Sequence, residues 1–385
     1  MKKVLVFGMF GGGNIGDEAV CRASTELCHS TFGDECDISI LSTNVDVSKH
    51  MTGFSGEIYE YRFPRLRFWR GFFPFLKVLK SKDLVVIGGG GLFQDVHSPC
   101  LMGSSLFMIA CSLLCKTPVV ITALGVGPVR SRFLITIAKY ILSHVSCICV
   151  RDEHSHQYLT EVIGVGVDRV VLAGDIVPLM PDFSEVETSS DGSAIFVFRD
   201  WPSLDRGGFV ELVNEVSRKF RSIIFIAFEE TDIPFYENFI NKNVEWKKTV
   251  RIVRPSCIQS TLQLLASASE IYTMRLHGCI FAQMLGKNFV AFEYDEKVGE
   301  FCRLINKQGG VFGCDDILPN IHLCSAKYET NSSDYLTRCN RNRTALGVSE
   351  VAVSWDFYLF LSSFILMLWG IFIGFKQNIT WRMGK

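Results

Sequence analysis

Arg275-Leu276-His277 follows the β-rich run 271–273 and opens the next helical pattern. Strand alternation puts Arg275 and His277 on one side and turns Leu276 into the core. A guanidinium binds a carboxylate or phosphate through paired N–H bonds, and an imidazole with a near-neutral reference pKa can hand over a proton. Arg151-Asp152 holds the equivalent place after the apolar run 147–150. Read blandly, that pair is an ion pair capping the following helix, and a lone histidine is more often structural. Arginine and histidine together at a strand's carboxyl end point instead to an anion-binding, proton-transferring site.

Three glycine clusters also fall at strand ends. Gly11, Gly13 and Gly16 match G-x-G-x-x-G, but Asp17 and Glu18 follow where a pyrophosphate would sit on the helix N-terminus. Two carboxylates there repel a phosphate, so a dinucleotide site is rejected. The acids suit helix capping, and Asp17 is a candidate for holding sugar hydroxyls, with Asn14 of the same loop beside it in the cleft. Gly88-Gly89-Gly90-Gly91 removes every Cβ from one cleft edge, more than a tight turn needs. Gly89, Gly90 and the nearby Asp95 are accordingly placed along the cleft. Gly125-Val126-Gly127-Pro128 reads equally well as a ligand edge or as a turn.

The elements that must carry these residues alternate almost throughout. Runs at 4–8, 38–42, 83–87, 118–123, 147–151 and 170–172 read as strands, separated by helical stretches near 17–29, 101–114, 131–142 and 153–162. A polar segment at 181–193 reads as a linker, after which the rhythm restarts at 194–198, 223–228, 250–253, 270–273 and 289–292. This predicts an α/β protein of two doubly wound, Rossmann-like domains, 1–180 and 194–345, each with its own core, facing one another across a cleft. Residues 1–180 form the expected acceptor side and 194–345 the donor side.

Composition agrees with such a chain. Its 385 residues are 48% hydrophobic and 21% charged, and the net charge of −1 gives no global attraction to nucleic acid. The 14 cysteines lack metal-ligand spacing and read as structural thiols in a reducing, cytosolic setting, with no metal site. No signal peptide is read ahead of the first strand, so the sequons at Asn331, Asn342 and Asn378 are taken as chance matches.

In order and spacing the motifs resemble the polysaccharide pyruvyl transferase family. They run G-x-G-N-x-G-D-E-A (11–19), D-L-V-V-I-G-G-G-G (83–91), G-V-G-P (125–128), V-R-D (150–152), G-D (174–175), R-L-H (275–277) and Y-D-x-K (294–297). The resemblance covers about residues 3–305. It implies a fold similar to two-domain GT-B glycosyltransferases and phosphoenolpyruvate as co-substrate, with no cofactor. It also implies donor contacts from Arg151, Arg275 and Lys297, and His277 as the acid. The acceptor would be a sugar or lipid-linked glycan, and the product a cyclic ketal. Two other readings share the architecture: a nucleotide-sugar-dependent glycosyltransferase and a non-catalytic glycan-assembly subunit.

The chain departs from that family in its tail, 351–385. Residues 357–374 carry no charge, and Lys376, Arg382 and Lys385 follow. As a helix this segment spans about 27 Å, close to the roughly 30 Å hydrocarbon core of a bilayer. An apolar C-terminal helix is expected, embedded in the inner face of the cytoplasmic membrane. The basic-aromatic stretch 61–82, free of acids, would dock beside it.

Overall fold

In the computed structural model the described residues are 1–60, 68–95, 99–307, 309–320, 330 and 333–347. Two parallel sheets organise them. The first comprises β1 (Lys2–Phe7), β2 (Cys36–Ser42), β3 (Glu57–Glu60), β4 (Leu84–Ile87), β5 (Gly90–Phe93), β6 (Val119–Val126), β7 (Cys147–Val150) and β8 (Val170–Leu172). Its order is β3-β2-β1-β4-β6-β7-β8, with β5 pairing β6. The second comprises β9 (Ser193–Val197), β10 (Ser222–Ile226), β11 (Val250–Val253), β12 (Glu270–Thr273), β13 (Phe289–Glu293) and β14 (Val311–Gly313), in the order β11-β10-β9-β12-β13-β14. The central strands are continuous Val, Ile and Leu runs because helices cover both faces of each sheet. The strand order reverses beside β1 and β4 in one sheet and beside β9 and β12 in the other, which opens a crevice at each carboxyl edge.

The strands that sequence patterning missed are β3, β5 and β14. β3 and β14 are edge strands of mixed burial, and β5 begins in the glycine cluster, so none presents a buried apolar run. β5 pairs β6 beyond Ala123, which takes a φ of 49°, with Gly90 opposite Leu124 and Phe93 opposite Val126.

The units do not have wholly separate cores. One apolar cluster runs from Val4, Ile15 and Val20 of the first unit through Ile176 and Val177 to Ile195, Ile280 and Phe281 of the second. The segment 181–193 is docked rather than free. Its Phe183 ring packs on Phe281, and the Ser189 and Asp191 N–H groups bond to the Ala266 and Ser267 carbonyls. Within the second unit Phe196 stacks on Tyr272 and Phe225 on Tyr236.

Residues 333–345, placed by sequence in the second domain, and 346–347 after them pack elsewhere. They return to the first sheet, where the fully buried Asn342 accepts from the Ala123 N–H (2.9 Å) and donates to the Gly174 carbonyl (3.0 Å). Asn342 satisfies the amide that the β6 irregularity leaves unpaired, and its burial rules it out as a glycan acceptor. Asn331, Asn378, the tail 351–385 and the start of the basic stretch, 61–67, lie outside the described residues. No helix of the described residues is long and apolar enough to cross a membrane.

Asn342→Ala leaves a buried N–H and a carbonyl without partners, each worth about 1–3 kcal/mol. Urea unfolding should therefore show a loss of about 2–4 kcal/mol with an unchanged slope.

Candidate active site

The glycine loop after β1 is held from within. Glu18, fully buried on the helix α1 (Ile15–Phe32), accepts from the Gly11 N–H at 2.7 Å and the Gly13 N–H at 3.3 Å, while Ser48 donates to its other oxygen at 3.2 Å. Burial pushes the Glu18 carboxyl up, and those donors oppose the shift. Asn14 caps α1 by accepting from the Gly16 N–H, and the Ile15 N–H donates to the Phe228 carbonyl of the second unit at 3.0 Å. The amides that a pyrophosphate would need are thus committed elsewhere. Asn14, assigned to the cleft from sequence, works as a helix cap.

Gly16 has a different reason. A Cβ there would lie 2.2 Å from Nδ1 of His277, so only glycine lets the imidazole of the second unit seat against the first turn of α1. His277 itself begins the helix α2 (Leu276–Met284) after β12. Its side chain is 14% exposed, and its buried Nε2 has no hydrogen-bond partner among the described residues. Asp175 Oδ2 lies 3.8 Å from that nitrogen. Burial, then the charges of Arg151, Lys297 and Arg275, push His277 down to about 4, with Asp175 acting the other way. The ring is therefore neutral at pH 7 in this state.

The two arginines are fixed differently. Arg151 follows β7, donates through Nε to Asp152 at 3.0 Å, and packs where a Cβ on Gly125 would come within 2.5 Å of its Nη2. The glycine after β6 thus accommodates a guanidinium. Burial disfavours the Arg151 charge, and Asp152 and Asp175 more than offset that. Asp152 also caps the following helix through the Ser155 N–H, so the bland reading of this pair holds alongside its place in the cleft.

Arg275 Nη2 is clamped by Glu229 Oε1 (2.6 Å) and Asp232 Oδ1 (2.6 Å). Glu229, which also sees Arg199 and Arg254, is held below the usual range in spite of burial, whereas burial pushes the more enclosed Asp232 up. Sequence reasoning missed this clamp, although Glu229 and Asp232 follow a strand end as the other site residues do. It also missed Arg199 and Arg254, each at a strand end of the second sheet. Arg254 crosses to the Gly13 carbonyl at 3.2 Å.

Lys297 enters from the helix after β13, paired with Asp295 at 3.1 Å and lying over the Tyr294 ring at 5.0 Å. Together with Arg151 it lines a cavity of about 380 Å³, whose walls include Gly91, Gln94 and Gly125 from one unit and Asp295, Glu296 and Glu300 from the other. That volume suits a small ligand. His277 and Arg275 do not line this cavity; the charges of its Arg151 and Lys297 reach His277, as does that of Arg275.

Other cleft assignments are altered by the geometry. Asp95 accepts from the Arg130 and Ser131 N–H groups at 2.8 Å, and so holds the loop before the next helix. At Gly89 a Cβ would strike the Ala123 carbonyl oxygen at 2.3 Å, so that glycine serves strand packing. Gly90 has a φ of 106°, and a Cβ there would come within 4.0 Å of Asp17 Oδ1.

Asp17 stands in the first turn of α1, on the side of Gly90. Burial and then the neighbouring charges of Glu18 and Glu229 push its carboxyl up to about 7, against Arg275 and Lys297. Between the ordinary value of 3.8 and about 7 the folded state binds the extra proton, so this group's contribution falls as pH rises through that window. Asp17→Asn should consequently raise the melting temperature more at pH 8 than at pH 5, as followed by thermal unfolding. An equal effect at both pH values would show that Asp17 carries no such burden.

Methanocaldococcus jannaschii UDP-GlcNAc 2-epimerase is similar in fold, with a TM-score of 0.57 at 14% identity over 89% of this chain and 99% of that one. HepE from Anabaena gives 0.55 at 12% identity over 96% and 100%. The amylovoran biosynthesis protein AmsJ of Erwinia amylovora is 26% identical over 204 residues, 45% of this chain. The chain spans about half the length of that relative, 48%. A profile described as polysaccharide pyruvyl transferase matches residues 14–296, from the helix cap Asn14 to the start of the Lys297 helix. The chain belongs to the polysaccharide pyruvyl transferase family.

Proposed function

We propose that the chain moves the pyruvyl group of phosphoenolpyruvate onto two hydroxyls of a sugar in a cell-surface polysaccharide or its precursor, closing a cyclic ketal. The observation that carries this reading is the buried His277 imidazole, set between the two units and within electrostatic reach of Arg151, Arg275 and Lys297. Arg151 and Lys297, which face the cavity, receive the donor's carboxylate and phosphate. Arg275, clamped by Glu229 and Asp232, contributes its charge from behind.

A neutral imidazole is no acid, and the donor itself corrects that. Its negative charges offset the three cations that depress His277, so the ring takes up a proton as the donor binds. The proton passes to C3 of the enol, C2 becomes cationic, and a sugar hydroxyl attacks C2 with loss of its own proton to the vacated base. A second hydroxyl then displaces inorganic phosphate, its proton leaving with the phosphate. No cofactor is consumed. Asp17, protonated near neutrality, offers a hydrogen bond to the acceptor sugar. The uncharged segment 357–374 with the lysines and arginine after it supports a lipid-linked acceptor met at the inner face of the cytoplasmic membrane.

A nucleotide-sugar-dependent transferase is the reading to set against this one, because HepE was crystallised with UDP and with UDP-glucose. Thermal shift separates them. Phosphoenolpyruvate at about 100 times its Kd should add about 2.7 kcal/mol of stability, and UDP- or GDP-sugars little. His277→Gln should keep that shift and abolish phosphate release, whereas Arg151→Ala should weaken donor binding by about 10- to 100-fold. A shift with a nucleotide sugar and none with phosphoenolpyruvate would overturn the assignment; a shift without turnover on any sugar would favour a non-catalytic subunit.

A further inference from the structure

His277 meets the cleft with two unlike nitrogens. Nδ1 lies against Gly16, in the space that a side chain there would fill, and Nε2 is buried on the opposite side. Oδ2 of Asp175, which follows β8 and belongs to the first unit, lies 3.8 Å from Nε2.

Asp175 is itself fixed. It is 3% exposed, its Oδ1 accepts from the Val177 N–H at 3.0 Å, and its backbone N–H donates to the Tyr335 hydroxyl at 3.2 Å. Tyr335 is held in turn by an edge contact with Phe301. One carboxylate oxygen is therefore spent on its own loop and the other, Oδ2, is left for the imidazole.

The charges that act most on the ring come from four places in the fold, while α1, on which the ring seats, carries Asp17 and Glu18 beside Gly16. The four are Asp175 after β8, Arg151 after β7, Lys297 on the helix after β13 and Arg275 on the residue before α2. Three are cations, so Asp175 is the one acid among them. The separation of 3.8 Å is an ion-pair distance and too long for a hydrogen bond, as is common for catalytic contacts that tighten when substrate fills the site.

We propose that Asp175 is a positioning residue for His277: Oδ2 accepts the Nε2 proton, holds the neutral ring with its proton on that nitrogen, and stabilises the imidazolium that loads a second proton on Nδ1. This rests on the pyruvyl-transfer reading. Nδ1, beside Gly16 and the glycine loop, is then the nitrogen that gives its proton to C3 of the donor and regains one from the attacking hydroxyl, while Nε2–H stays on Asp175 throughout. Gly16 and Asp175 become two halves of one arrangement. The first lets the ring seat at the seam, and the second orders the nitrogen that does not react.

The test is Asp175→Asn, which keeps an oxygen for the Val177 N–H and so preserves the loop while removing the charge. Nitrogen-15 histidine spectra of the unliganded protein at pH 7.5, with His277→Gln identifying the resonance, should show the Nε2–H tautomer in the wild type. D175N, whose amide donates instead of accepting, should show Nδ1–H. With phosphoenolpyruvate and acceptor, kcat should fall about 100-fold or more, as expected for a wrong tautomer. KM for phosphoenolpyruvate should move by no more than about threefold. Because His277 must be protonated to act, activity is lost as pH rises through its bound-state pKa, and D175N should shift that alkaline limb down by about one to three pH units.

An Nδ1–H tautomer in the wild type, an unchanged tautomer in D175N, or an alkaline limb that stays in place overturns the proposal. Should D175N fail to fold, the wild-type tautomer alone decides. The tautomer is read without turnover, so the expected spectra combined with no reaction of phosphoenolpyruvate would refute the donor assignment and leave the Asp175–His277 pairing standing.

Discussion

Burying an imidazole at the seam between two sheets, among three cations, sets the terms for the residues around it. The ring of His277 reaches the first unit because Gly16 carries no side chain, and it reaches that place because α2 starts at the carboxyl end of β12. A continuous apolar cluster from Val4 to Phe281 and the hydrogen bond from Ile15 to the Phe228 carbonyl keep the two edges in register. An isolated cation in such a place would be costly, so every nearby guanidinium is given a carboxylate: Asp152 for Arg151, Glu229 and Asp232 for Arg275.

The same economy of charge explains why the glycine loop is not a phosphate cradle. A loop that binds pyrophosphate leaves its amides pointing outward. Here Glu18 turns the Gly11 and Gly13 amides inward, Asn14 takes that of Gly16, and the second unit takes that of Ile15. Rossmann-like geometry is retained while the amides of its first loop are committed within the protein. The cationic side chains that face the cavity are instead Arg151, after β7, and Lys297.

Much of this was legible in the sequence, for a physical reason. Strands buried on both faces of a parallel sheet read as uninterrupted apolar runs, so Leu84–Ile87 and Cys147–Val150 could be placed and the residues that follow them assigned to a cleft edge. What single-sequence reading cannot give is the identity of tertiary partners. Asp95 and Gly89 looked like cleft residues because they adjoin a strand end, yet one serves backbone amides and the other a neighbouring strand. Glu229, Asp232 and Asp175 went unassigned because a carboxylate reveals its task only when the arginine or histidine it faces is known, 46 residues away in the Glu229–Arg275 pair. Residues 333–345 were misplaced for a similar reason, since Asn342 finds Ala123 only in three dimensions.

The proposal turns on His277 protonating C3 of an enol phosphate so that C2 can be captured twice by sugar hydroxyls. Turnover of phosphoenolpyruvate and acceptor in D₂O, followed by mass spectrometry and NMR of the product, tests it most directly. One deuterium in the methyl group of a cyclic ketal, with one phosphate released per ketal and no product from His277→Gln, is the predicted result. A product that keeps the CH₂=C group, or a methyl group without deuterium, would contradict it.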